Sequence, residues 1–187
     1  PLIRQRKPKA EIHIYGAYPP QQVLEWHSPS DGFLIHGRTE RAEEVFRKAR
    51  ICLAPIQFGA GLKGKLVEAM LNGTPSITTS VGAEGIAGTH DWPGAICDDP
   101  QEFANAAVKI YSDKTQWERA SRKGMTIIND RFDKGRLTGK FFDRLEDVMC
   151  NLKAHRAENF TGDMLMHHTM ASTRYMSRWI EEKNKRS

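Results

Sequence analysis

The side chains best placed to do chemistry lie in residues 54–85, which read APIQFGAGLKGKLVEAMLNGTPSITTSVGAEG. An apolar run ends at Ile56 and is followed by a turn holding Gly59, Ala60, Gly61 and Gly64. Glycines let the main chain come close to a ligand and take left-handed conformations. A helix that starts in such a turn presents unpaired N–H groups and a partial positive charge. Lys63 and Lys65 add two full charges there. The combination suits a diphosphate. Glu68 follows Lys65 by about one helical turn, where one carboxylate could accept from two adjacent ribose hydroxyls. The plainer alternative is a solvated glutamate paired along the helix with Lys65.

Two common phosphate fingerprints do not fit. GAGLKGK, residues 59–65, has the wrong spacing for GxxxxGK[ST] and no Ser or Thr. Gly59, Gly61 and Gly64 satisfy a bare GxGxxG, but Glu68 comes only seven positions after Gly61. A dinucleotide-binding acid stands about 20 residues on.

Other candidates are weaker. His36 ends an apolar run beside Gly37, and Glu84 sits in the Gly82–Gly85 loop. His90-Asp91 has the look of a dyad without a nucleophile. His167 and His168 are adjacent, so on a helix they diverge by about 100° and make a poor metal pair. No metal site and no Gly-x-Ser-x-Gly elbow is expected. Cys52 and Cys97 stand in apolar runs and read as small core residues, as Trp92 and Trp117 read as packing residues.

The elements that must hold the turn alternate. Short β-like runs occur at Glu11–Tyr15, Phe33–His36, Ile51–Ile56, Pro75–Thr79 and Ala95–Cys97. Helical periodicity covers 40–50, 62–72, 100–112, 114–129, 134–153 and 158–185, with one or two turns at 21–26. Strands alternating with helices predict an α/β domain: a Rossmann-like parallel sheet with helices on both faces, followed by a C-terminal helical tail. The expected division is 1–152 for the sheet domain and 153–187 for the tail. In the tail, Met166, Met170, Ala171, Tyr175, Met176, Trp179 and Ile180 recur at helical spacing, opposite Arg174, Arg178, Glu182 and Lys185.

The 54–85 segment resembles the donor site of the retaining GT-B glycosyltransferases of the group 1/family 4 class. Members run strand, glycine turn, Lys, "EAM", Gly-[TL]-Pro, strand, then a Gly-x-x-Glu loop. Here these are Phe58–Gly61, Lys63 and Lys65, Glu68-Ala69-Met70, Gly73-Thr74-Pro75, and Gly82-Ala83-Glu84-Gly85-Ile86. Glu11–Gly16 and Phe33–Gly37 are similar to the family's two preceding strands. The resemblance implies Glu68 as the ribose acid and Lys63 or Lys65 with the Gly59-Ala60-Gly61 N–H groups as diphosphate contacts. It also implies His36 near the nucleobase and Glu84 near the donor. Many members carry a further acid eight residues before the second; here that position is Ala60, so the sugar and the catalytic residues stay open. By resemblance the donor is a nucleotide-diphosphate sugar, no cofactor is needed, and the acceptor is a glycan or lipid-linked glycan. The chain opens at Pro1 and matches only the C-terminal half of a GT-B fold, so an N-terminal acceptor domain is expected to be missing and the piece alone inactive. A non-catalytic nucleotide-sugar-binding module and a nucleotide-sugar epimerase of the same fold are the alternatives.

Composition sets outer bounds. The 187 residues carry a net charge of +5, with 39% hydrophobic residues. A basic balance suits anionic partners. No basic block or aromatic–basic interleaving points to nucleic acid. No apolar run approaches a membrane span. Three cysteines without CxxC spacing fit a reducing setting, so the expected location is cytoplasmic, with membrane association left open.

Overall fold

The computed structural model describes residues 1–185; the side chains of 165–170 lie outside that description, and with them those of Met166, His167, His168 and Met170. The strands are β1 (Ile12–Tyr15), β2 (Phe33–Gly37), β3 (Cys52–Ala54), β4 (Ser76–Thr78) and β5 (Gly94–Ile96). Helices α1 (Gln21–Leu24), α2 (Ala42–Lys48) and α3 (Gly64–Leu71) fall between them, followed by a short α4 (Ser80–Ala83) that periodicity did not predict. Helices α5 (Pro100–Ser112), α6 (Lys114–Arg131), α7 (Lys134–Cys150), α8 (Leu152–Glu158) and α9 (Phe160–Lys185) complete the order.

Every ladder between these strands is parallel, as the alternation predicts. β1 pairs with β2, starting from Ile12 opposite Phe33. β3 pairs with β4 and β4 with β5, with Leu53, Ile77 and Ala95 in register. The strands form two ladders, β1–β2 and β3–β4–β5, rather than one continuous sheet.

Helices cover both faces of the three-stranded sheet. Successive strand side chains point to opposite faces, and the core divides accordingly. Ala54 and Cys52 meet Leu66 and Met70 of α3 and Ile127 and Ile128 of α6. Leu53, Ile77 and Ala95 meet Ala107 and Ile110 of α5. Burial of these side chains contributes about 1.5–3 kcal/mol for each large aliphatic. α5 begins where the sequence predicts because Pro100 follows a side-chain cap: Asp99 Oδ1 accepts from the N–H groups of Gln101 (2.8 Å) and Glu102 (2.9 Å). Thermal melting of Asp99→Ala should show a loss of about 1 kcal/mol, the usual cost of an N-cap; an unchanged melting temperature would mean that the cap is redundant.

The chain divides into two compact units, Pro1–Asp133 and Lys134–Ser187. The expected boundary at 152/153 thus falls instead at 133/134. α7 buries no residue and leaves Phe141, Phe142 and Met149 exposed, so nothing ties it to a core as α5 and α6 are tied. In α9, Tyr175, Met176, Trp179 and Ile180 are exposed, with the Lys183 amine over the Trp179 ring. Among the described residues no helix is long and apolar enough to cross a membrane.

Candidate functional site

β3 delivers the chain to the glycine turn and α3 carries it away. Gly59 and Gly61 have φ of +152° and +70°, values that a residue with a Cβ rarely adopts, and both are exposed. A Cβ on Gly61 or Gly64 would meet nothing within 4 Å, so the space over the turn is open. Phe58 and Ala60 are exposed beside it. The helix starts at Gly64, two residues later than periodicity predicts, with Lys63 at its N-cap and no side chain capping it.

The two lysines differ sharply, which their spacing could not reveal. Lys65 is exposed in the first turn. Lys63 turns inward: its side chain is 7% exposed, and its Nζ has no hydrogen-bond partner among the described residues. The Glu84 carboxylate, 75% exposed, stands 3.8 Å from it. That separation is too long for a good charge-assisted bond, which runs about 2.7–2.9 Å. A buried ammonium normally demands full pairing. Lys63 is therefore a cation held in place with most of its donor capacity unspent, at the uncapped N-terminus of an eight-residue helix.

Glu68 lies on the exposed side of α3, between the buried Leu66 and Ala69. Its carboxylate makes no ion pair with Lys65 or any other described residue. Its carbonyl accepts from the main-chain and side-chain nitrogens of Asn72, at 3.1 and 2.9 Å. Cys52, on β3, is an inert thiol: burial pushes it up to about 11, against the opposing pull of the Lys65 charge.

Glu84 follows α4, whose position rests on side chains that sequence reading did not single out. Thr79 Oγ1 donates to Ile56 O, at the start of the glycine turn, and accepts from Gly82 N at 3.1 Å. Thr78 Oγ1 donates to Ala54 O at 2.8 Å. Asp98 accepts from Ser80 N (2.9 Å) and Ser80 Oγ (3.0 Å). These bonds tie the end of β3 to the segment bearing Glu84. The Ser/Thr-rich SITTS run, residues 76–80, is the sequence signal that could have pointed to them.

His36 joins a different group. Its Nε2 lies 2.9 Å from His13 Nδ1, whose Nε2 lies 3.2 Å from Glu11 Oε2. The two imidazoles are within 6° of parallel with centroids 5.1 Å apart, which is the spacing of rings bonded edge to edge through an N–H···N contact. Tyr15 stacks on His36 at 4.6 Å. All of these contacts are within β1–β2, and none reaches the turn. His90 and Asp91 do not act together: His90 Nε2 lies 2.9 Å from Asp130, while Asp91 accepts from Lys123 at 2.7 Å, which holds its carboxyl below the usual carboxylate range.

Comparison with solved structures finds this architecture in GT-B enzymes. The S. aureus protein TarM, solved with fondaparinux, alpha-GlcNAc-glycerol and UDP, superposes over 76% of this chain at TM-score 0.65 and 13% identity. The pneumococcal O-GlcNAc transferase GtfA, solved with UDP and GlcNAc, covers 79% at TM-score 0.65 and 18% identity. WaaG, a glycosyltransferase involved in lipopolysaccharide biosynthesis, covers 70% at TM-score 0.57 and 15% identity. This chain spans 30%, 31% and 37% of their respective lengths. No curated protein matches by sequence. The model for glycosyl transferases group 1 matches residues 1–113, which take in all five strands, the glycine turn and the Glu84 loop. With well over half of its length matched and its fold shared with these enzymes, the chain belongs to the group 1 glycosyltransferase family.

Proposed function

We propose that this chain is the donor-binding domain of a glycosyltransferase and that its turn–helix site takes the diphosphate of a nucleotide sugar. The buried, under-bonded Lys63 ammonium carries the reading. With the N–H groups at the start of α3 it forms a preorganised positive site, which a diphosphate would complete. In sugar transfer the bond from the anomeric carbon to the diphosphate oxygen breaks and negative charge grows on the leaving diphosphate. Donors already fixed in a partly dry site stabilise that charge without reorganising. Glu68, exposed and unpaired about one turn along α3, is positioned to accept from ribose hydroxyls. TarM and GtfA, which share the fold, were both solved with UDP.

On this reading the acceptor, a glycan or lipid-linked glycan, binds a second, N-terminal domain, and transfer occurs between the two. The exposed Tyr175, Met176, Trp179 and Ile180 stripe on α9 is the face we assign to that domain. His36, engaged by His13 and Tyr15, is a weaker candidate for the nucleobase than its sequence position suggests.

The test is calorimetry of the chain with UDP, GDP and ADP, with melting curves alongside. One of the three should bind and raise the melting temperature; ligand at 100 times its Kd adds about 2.7 kcal/mol. No binding to any of them at millimolar concentration would remove the donor reading. The chain by itself should transfer no sugar, and measurable transfer would refute the two-domain assignment.

A further inference from the structure

Glu84 is mostly exposed, so packing of its own side chain does not hold it 3.8 Å from Lys63. Its position comes from the main chain on either side. At the near end, the bonds of Thr79 and Asp98 fix α4. At the far end the contact comes from 45 residues away. Arg131, in the last turn of α6, donates from Nη1 to Gly85 O at 3.2 Å and to Ile86 O.

Three observations make this a designed contact rather than a surface arginine at rest. Ile86 is fully buried, so the carbonyl it presents is anchored to the core formed by α3 and α6. The guanidinium lies across Gly88, where a Cβ would stand 2.9 Å from Nη1, and φ of +62° there favours glycine. The guanidinium also bridges two successive carbonyls, which fixes the orientation of the peptide between them. Gly85, with φ of +75°, is the turn that would otherwise swing.

We infer that Arg131 is a positioning residue for the candidate diphosphate site. It clips the end of the Glu84 loop to α6 and so keeps that loop closed beside Lys63. The inference rests on the donor reading for its ligand but not for its geometry. It makes α6 part of the site's support, although no residue of α6 faces the glycine turn.

The experiment compares the full chain with Arg131→Met and Arg131→Lys by two readouts. Hydrogen exchange is measured without nucleotide, comparing amides of residues 82–88 with those of α5. UDP affinity is measured by calorimetry. Arg131→Met should speed exchange in 82–88 about tenfold, leave α5 unchanged, and weaken UDP binding by roughly threefold to tenfold. Arg131→Lys, which keeps the charge and can still reach a carbonyl, should recover part of both effects and remains informative if the methionine variant does not fold. Unchanged exchange in 82–88, or exchange that rises equally in α5, overturns the positioning role whether or not UDP binds. A loosened loop with wild-type UDP affinity overturns the link to the site. Failure of the unmodified chain to bind UDP, GDP or ADP would instead count against the donor reading, while the exchange result still decides the clip.

Discussion

Replacing Lys63 with methionine should raise the melting temperature of the chain while stripping it of nucleoside-diphosphate binding. The two effects have opposite signs because they come from one cause. A buried polar group left without a partner costs about 1–3 kcal/mol, and more when it is charged. Lys63 is such a group: side chain 7% exposed, no hydrogen bond, and only a distant carboxylate. Methionine keeps an unbranched chain of similar length and adapts to irregular space. Removing the penalty should stabilise the fold by about 1 kcal/mol or more, a shift of roughly 2–8 °C for domains of this size class. Glu84 loses little, since its exposed carboxylate remains in water and surface pairs contribute only about 0–1 kcal/mol. Binding loses a charge-assisted contact of about 1.5–3 kcal/mol, roughly tenfold to 150-fold in Kd. Stability given up for a binding site is a common trade. Melting and UDP calorimetry on the same sample decide it. A lower melting temperature with unaltered UDP affinity would make Lys63 a structural residue and sink the diphosphate assignment.

The second large effect belongs to Glu68. Glu68→Gln should weaken binding of UDP about tenfold or more, since two ribose hydroxyls lose an ionised acceptor worth at most about 1.5–3 kcal/mol per bond. It should leave the melting temperature within the ±0.5 kcal/mol usual for an exposed site without contacts. Glu84→Gln should cost less affinity, because Glu84 is an anion beside the same lysine that the diphosphate would engage. The specific signature uses a deoxyribose form of the nucleotide. The unmodified chain should lose affinity for it, whereas Glu68→Gln, already without the carboxylate, should discriminate little. Equal losses in the two proteins would show that the hydroxyls are read elsewhere.

The contrast between Lys63 and Lys65 shows how far sequence reading reaches. Periodicity and glycine placement identify a strand, a turn and a helix at residues 52–71, because those signals are local: left-handed glycines end the strand and an apolar stripe of Leu66, Ala69 and Met70 faces the core. They cannot say which lysine is buried. That depends on α3 starting at Gly64, which places Lys63 at the N-cap, and on the α4 segment closing beside it. His36 shows the same limit in the other direction. Its place at the end of β2 is legible, but its engagement with His13 and Tyr15 follows from the register of a parallel pair formed by strands some twenty residues apart.

The sequence alone determined the alternation of elements, the parallel α/β class, the bounds of α5 through its Asp99–Pro100 cap, and the turn most suited to an anion. Each of these depends on residues within a few positions of one another. Tertiary structure alone decided the rest. It left Lys63 buried and under-bonded, and it divided the chain at 133/134, where burial stops. It also tied the Glu84 loop through Thr79 to the end of β3 and through Arg131 to α6. Those facts are contacts between residues 23 to 46 positions apart. Such contacts exist only once the core has brought the helices and strands together.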